Sequence, residues 1–294
     1  MPTAVTREHF DTLIVGAGIS GVGAAYHLQT QCPEQRFVVL EGLDSFGGTW
    51  HMHRYPGIRS DSDLHTFGYR FKPWIGAPIA SAEEILKYMG EVISDNQLAQ
   101  HIRYQHRVET ADWSSEDQQW ILKGTRQDTG AAVEFSASFL WMCQGYYEHA
   151  KGYTPAWPGM ENFRGQIVHP QTWPKDLDYK NKQVVVIGSG ATAATVVPAI
   201  AAETSHTTVL QRSPTYFIPG RNENELAEQL RALDIDETWV HEITRRQILK
   251  NQAEFTKRAF AEPEVVKAEL LGAVRALLGP DYDIDKHFTP DYRP

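Results

Sequence analysis

The sequence predicts an α/β protein carrying two β-α-β units of the dinucleotide-binding kind, and three observations predict it. A short aliphatic run, Thr12-Leu13-Ile14-Val15, leads into Gly16-Ala17-Gly18-Ile19-Ser20-Gly21. A second, Val184 to Ile187, leads into Gly188-Ser189-Gly190-Ala191-Thr192-Ala193. Each glycine cluster is followed by a helix-forming stretch and then by another short apolar run. That is the order of strand, crossover helix and parallel strand.

In chain order, Gly18 to Thr30 has helix composition, and Phe37-Val38-Val39-Leu40 is the next strand, ending at Glu41. Ala82 to Leu98 places Ile85, Leu86, Met89, Val92 and Ile93 at helical spacing. From Ile102 to Phe139, alternating segments separated by Ser115-Glu116-Asp117 and Asp128-Thr129-Gly130 read as a small antiparallel β insertion. Phe139 to Cys143 reads as a returning buried strand. Pro155, Pro158 and Gly159 mark a linker. In the second unit the helix is expected from Ala191 to Ala202, with Pro198 kinking or ending it, and the next strand at Thr207 to Leu210. Asn222 to Leu278 reads as mostly helical, and Gly279 to Pro294 as irregular. The expected domains are a first nucleotide domain at 1–150, an interdomain linker at 151–180, and a second nucleotide domain with the helical region at 181–294.

Composition narrows the function classes. Lys plus Arg number 28 against 37 Asp plus Glu, a formal charge of -9 over 294 residues, which argues against a general nucleic-acid binder. No apolar run is long enough to span a bilayer. Met1 to Phe10 lacks the apolar core of a secretion leader. The two cysteines, Cys32 and Cys143, form no C-x-x-C pair, which argues against a disulfide scaffold, a zinc ribbon and a dithiol reductase. A cytoplasmic protein is expected, and no metal site.

The glycines have distinct physical tasks. Gly16 makes the strand-to-helix turn, Gly18 admits a pyrophosphate to the backbone, and Gly21 lets helix pack on strand. Gly16, Gly18, Ser20 and Gly21 are therefore candidate cofactor contacts, with the helix start supplying N–H groups and partial positive charge. Glu41, at the end of the following strand, fits the acid that accepts from ribose hydroxyls and would repel a 2′-phosphate. On that evidence alone the first site takes FAD or NAD, not NADP. In the second unit Gly188, Ser189, Gly190, Ala191 and Thr192 take the corresponding places, with Ala193 for the last glycine. There the strand ends on Gln211-Arg212-Ser213. Arg212 suits a bidentate contact with the 2′-phosphate of NADPH, and Ser213 adds a hydroxyl.

Three further segments carry a family resemblance: Gly47-Gly48-Thr49-Trp50, then Arg54-Tyr55-Pro56-Gly57-x-Arg59-x-Asp61, and the pattern F-x-G-x-x-x-H-x-x-x-W-P on Phe163, Gly165, His169, Trp173 and Pro174. Together with the paired glycine clusters, this set resembles the class B flavin monooxygenases of Baeyer–Villiger type. Stretches such as His169 to Tyr179 and Leu210 to Tyr216 narrow the likeness to the ethionamide-activating group. The resemblance implies that Gly48, Thr49 and Trp50 lie against a flavin, and that the backbone of Val108 contacts the adenine of FAD. It implies that Asp61 stands near the flavin ring and orients a catalytic arginine. It makes the Phe163 to Pro174 segment an interdomain signature whose histidine supports cofactor-dependent domain movement, with plain packing and chemistry as the other readings of His169.

The implied activity is insertion of one oxygen atom from O2 into ketones, or oxygenation of sulfur or nitrogen, through a C4a-peroxyflavin, using FAD and NADPH on a small-molecule substrate. The resemblance also implies a C-terminally truncated architecture. His287-Phe288-Thr289-Pro290 looks like the approach to a W-x-Q-R segment whose arginine is catalytic, which would fall beyond Pro294. Arg54, Arg59 and Arg70 are then candidates for flavin or structural contacts only. The alternative reading is a nucleotide-binding fragment or non-catalytic module that needs a complementary C-terminal polypeptide, with self-association also open.

Overall fold

The computed structural model describes residues 6–294; the leader reading of Met1 to Phe10 lies partly outside them. The chain divides into two compact units that are not contiguous in sequence. One comprises the described residues up to Arg54 with Ala82–Trp173, the other Tyr55–Ser81 with Pro174–Pro294.

The first unit is built on a six-stranded sheet. Its elements are β1 (Glu8–Val15), α1 (Ile19–Gln31), β2 (Phe37–Leu40) and α2 (Thr49–Met52). The segment that follows, with α3 (Leu64–Phe67), belongs to the second unit. The first unit resumes with α4 (Ala82–Asp95), β3 (Ile102–Arg103), β4 (His106–Ser114), β5 (Gln119–Arg126) and β6 (Ala132–Met142). The spatial order is β3-β2-β1-β6-β5-β4. The pairs β1–β2, β1–β6 and β2–β3 are parallel, while β4–β5 and β5–β6 are antiparallel. The antiparallel strands therefore extend the same sheet, and Ile102–Arg103, expected within the antiparallel run, pairs parallel to β2. Trp113 and Trp120 face each other across β4 and β5 with their rings edge to face.

Burial explains the register. Phe10, Leu13, Val38, Leu40, Leu122, Phe135 and Ala137 form one buried cluster on the sheet. Ile14 and Val39 are buried too, and α1 contributes Val22, Ala25 and Leu28 while α4 contributes Ile85, Tyr88, Met89 and Val92. At the start of β1, the two terminal guanidinium nitrogens of Arg103 donate to Glu8 at 2.7 and 2.9 Å, and Arg36 adds a third bond at 2.6 Å. The Arg103 bonds hold the Glu8 carboxyl below the usual range.

An expectation about burial fails. Phe139 to Met142, expected buried, is largely exposed: Phe139 57%, Met142 48%. The cause is register. β5 accompanies β6 only as far as Ala137, opposite Trp120, so the last residues of β6 pair with β1 alone.

The second unit contains β7 (Gln183–Ile187), α5 (Ala191–Ile200) and β8 (His206–Leu210), with β7 and β8 paired in parallel. α5 runs through Pro198 and stops at Ile200, two residues short of the expected Ala202. Val184 and Val186 are half-buried, whereas Val185, Ile187, Val209 and Leu210 are exposed. The helical region resolves into α6 (Glu225–Ala232), α7 (Glu237–Ala261), α8 (Pro263–Leu278) and the short α9 (Ile284–His287), which the sequence reading treated as irregular. Asn224 caps α6 and Asp236 caps α7 with side-chain oxygens.

Leu13→Ala is expected to lower unfolding free energy by about 2–5 kcal/mol in a denaturant titration, because the side chain is fully buried in the sheet cluster. A second prediction concerns pH. Burial pushes the imidazoles of His53, His101 and His241 below their ordinary value, with His149 and His169 adding to the effect at His53, and His65 and Arg245 at His241. The unfolded chain then binds more protons than the native one below about pH 6.5, so stability present above that value is lost on acidification. Melting temperature should fall from pH 7 to 5, and His53→Gln should flatten that dependence; an unchanged slope would remove His53 as a contributor.

Candidate functional site

Two strand-to-helix turns of the same construction stand in the molecule, one in each unit. In the first, Gly16 holds φ +102°, a conformation that L side chains rarely adopt, and donates its N–H to Leu40 O at 2.8 Å. A Cβ on Gly21 would lie 1.8 Å from Gly16 O, so α1 packs backbone to backbone on the turn. Gly18 faces Gly48: a Cβ there would stand 3.9 Å from Gly48 Cα. The turn from Gly47 into α2 is tied on by the Gly47 N–H donating to Ala17 O at 3.0 Å. The start of α1, at Gly18, has no side-chain cap. Ser20 is exposed beside them, and Thr49 and Trp50, the first residues of α2, are half-buried.

Glu41 is buried at 6% exposure directly after β2. Its carboxylate accepts the Ala17 N–H at 2.7 Å and the Leu43 N–H at 2.9 Å. A carboxylate offers about four acceptor positions, so it retains capacity for further donors. Val108 is half-buried in β4 at a register shift of the ladder. Cys143 follows β6 beside this turn, and burial pushes its thiol up, away from thiolate chemistry.

In the second turn Gly188 holds φ +122° and donates to Leu210 O at 2.8 Å. A Cβ on Gly188 or Gly190 would meet nothing within 4 Å. α5 also starts without a side-chain cap, at Gly190. Ser189 Oγ donates to Ser213 O at 3.3 Å, bringing the residues after β8 beside the turn. Arg212 is exposed there, and Ala191 and Thr192 form the first turn of α5. Both glycine turns at a helix start, the second of them open at Gly188 and Gly190, fit a dinucleotide pyrophosphate.

The remaining expected residues divide between the units. Phe163 and Gly165 are exposed in the first unit. His169 Nδ1 accepts the Gln171 N–H at 3.2 Å, capping a short 3-10 turn. Its ring lies over Gly152, where a Cβ would stand 2.0 Å from it. Trp173 ends the first unit and Pro174 begins the second. Asp61 lies in the second unit, exposed, with Ser62 Oγ donating to it at 3.3 Å. Arg70 pairs with Glu242 at 3.1 Å, which gives it a structural partner within the second unit. Among the described residues no His, Cys, Asp or Glu group is arranged to hold a metal.

Sequence reasoning missed two arrangements. His53 is buried with its ring edge to face on Tyr147, close enough to His149 and His169 for their charges to lower it. Gly57 holds φ +76°, and a Cβ there would lie 2.5 Å from Thr195 O. The Pro-Gly pair signals a turn in the sequence, but not the helix it rests on.

Comparison with known proteins accords with this geometry. The family profile described as flavin-binding monooxygenase-like matches residues 78–224, half of the chain, and the NAD(P)-binding Rossmann-like domain profile matches residues 14–75. The chain is 44% identical over 289 residues to the FAD-containing monooxygenase EthA of Mycobacterium tuberculosis, covering 98% of this chain and 58% of that protein. It is 44% identical over 290 residues to the probable FAD-binding monooxygenase AlmA of an Acinetobacter species, with the same coverage of 98% and 58%. A solved structure of oxidized steroid monooxygenase bound to NADP superimposes with a TM-score of 0.64 at 32% identity, covering 76% of this chain and 43% of that one. The chain thus spans a little over half the length of the curated relatives it matches. It is a member of the flavin-binding monooxygenase-like family.

Proposed function

We propose that this chain carries the two nucleotide sites of an FAD- and NADPH-dependent monooxygenase, acting on a small-molecule substrate and O2. The observation that carries the reading is the pairing of two like turns with opposite side chains after their second strands: a buried Glu41 in one and an exposed Arg212 in the other. Glu41 takes ribose hydroxyls of FAD with the acceptor capacity left by Ala17 and Leu43. Gly16, Gly18, Ser20, Gly21 and Gly48 line the approach for its pyrophosphate, with Thr49, Trp50 and Val108 as the further contacts that family likeness supports. Gly188 to Thr192 receive the pyrophosphate of NADPH, and Arg212 with Ser213 its 2′-phosphate.

When bound, FAD supplies oxygen activation and NADPH the reducing equivalents. The chain's own residues bind and orient. Asp61 is assigned a positioning role toward a cation that offsets developing negative charge, and His169 a role in cofactor-dependent movement through the Phe163 to Pro174 segment. The name of EthA supports an FAD enzyme, and the steroid monooxygenase structure supports an NADP site. Ketone, sulfur and nitrogen oxygenation all fit this reading. The exposed Phe139, Met142, Ile187 and Leu210 support a complementary polypeptide or self-association. A cytoplasmic location is supported by two free cysteines, and no described helix is long and apolar enough to cross a membrane.

The decisive experiment is the visible spectrum of the purified chain with FAD, then with NADPH under anaerobic conditions. A retained flavin that is bleached by NADPH is expected; a chain that holds neither nucleotide would overturn the proposal. Arg212→Ala should weaken NADPH binding by about 10- to 100-fold while leaving NADH binding nearly unchanged, the loss of a charge-assisted contact. Equal loss for both nucleotides would show that Arg212 does not read the 2′-phosphate.

A further inference from the structure

Asp61 sits on a segment that is anchored on both sides within the second unit. On one side is Gly57. Its positive φ and the absent Cβ let the loop backbone rest directly on α5: a Cβ would stand 2.5 Å from Thr195 O and 2.8 Å from the Ala199 methyl. Thr195 is buried, and its hydroxyl donates back to Thr192 O at 2.9 Å and Ala191 O at 3.2 Å. The helix residue touched by Gly57 is therefore bonded to the first turn of α5, beside the glycines of the second turn.

On the other side is α3. Asp63 Oδ1 accepts from both the backbone N–H and Nδ1 of His65, each at 2.9 Å. Arg245 of α7 then donates from one guanidinium nitrogen to His65 O and Thr66 O, both at 3.0 Å. Between these anchors, Ser60 exchanges bonds with Ala80, its N–H donating at 2.8 Å and its hydroxyl accepting at 3.1 Å. The exposed Asp61 carboxylate is thus carried by a short tether fixed to α5 at one end and to α7 at the other.

We infer that Gly57 and Arg245 are positioning residues that set Asp61 from the second nucleotide unit, so that filling the turn at Gly188 to Thr192 restrains the Asp61 segment through α5. The coupling rests on the NADPH reading given above; the anchoring does not. Gly57→Ala would place a methyl on backbone that cannot yield and force the segment off the helix. Arg245→Ala would free two carbonyls at the end of α3.

Hydrogen–deuterium exchange followed by mass spectrometry tests both parts on the 294-residue chain, with and without NADP+. Without nucleotide, Gly57→Ala and Arg245→Ala should each speed exchange across residues 58–67 by about tenfold, the scale of one or two lost hydrogen bonds. β1 should stay unchanged, and Arg245→Lys should restore part of the protection. With NADP+, the wild type should slow at 58–67 as well as at 189–195. In Gly57→Ala the slowing at 189–195 should persist and that at 58–67 should vanish.

Wild-type exchange at 58–67 in both alanine variants would overturn the anchoring. Slowing at 58–67 that survives Gly57→Ala would overturn the coupling. Faster exchange in β1 as well would mark global unfolding of Gly57→Ala, and the Arg245 pair then decides the anchoring. A wild-type chain that does not bind NADP+ would overturn the NADPH reading and the coupling with it, while the nucleotide-free comparison still decides the anchoring.

Discussion

The structure depends first on a backbone contact that tolerates no side chain. At the first turn, α1 approaches β1 so closely that a single carbon on Gly21 would overlap Gly16 O. That approach fixes where the helix starts, and so where its first turn points. It also fixes the distance from the turn to the end of β2, which brings the Glu41 carboxylate to the Ala17 N–H. A dinucleotide site needs all of these together, because a pyrophosphate bonded to free backbone donors tolerates little displacement. Hydrophobic burial then makes the contact stable. Leu13, Ile14, Val38 and Val39 place the two strands in register by their burial, and the glycines allow the helix to lie on them.

The second turn repeats the device with different surroundings. Gly188 adopts the same left-handed conformation and the same bond to the end of the neighbouring strand. Here, however, the glycines face open space, and the β7–β8 pair is exposed at Val185, Ile187 and Leu210 on one face and at Val209 on the other. Parallel strands normally have both faces covered. The difference between the sites is then electrostatic. Glu41 is buried and held by backbone donors, whereas the cation of Arg212 is exposed to solvent.

Much of this was legible in the sequence because it depends on local pattern. Aliphatic strand, glycine turn, helix and terminal charge all lie within one β-α-β unit, and both units were placed to within a few residues. Pro198 lies inside α5, which ends two residues beyond it. What depends on pairing between distant segments was not legible. The exposure of Phe139 and Met142 follows from β5 leaving β6 at Ala137, a property of ladder length rather than composition. The parallel pairing of Ile102 with Val39 likewise depends on which strand is adjacent in space. The buried, backbone-bonded acid at Glu41 was marked by its spacing, but nothing near His53 in sequence signalled its proximity to His149 and His169.

The assignment of residues 55–81 carries the argument furthest. By sequence these residues interrupt the first nucleotide unit, between α2 and α4, and any division drawn along the chain keeps them there. Their hydrogen bonds go elsewhere: Asn222 exchanges two bonds with the Ile79 backbone, Arg70 meets Glu242, and the Trp74 N–H reaches His241. Each partner stands in the later half of the chain and belongs to the second unit. A segment with several such ties, most of them to backbone groups, is held by the unit that supplies the partners. Removing one tie leaves the rest in place, whereas moving the segment as a whole breaks all of them together. Asp61 is therefore positioned by the unit carrying Arg212, although in sequence it lies nearer to Glu41.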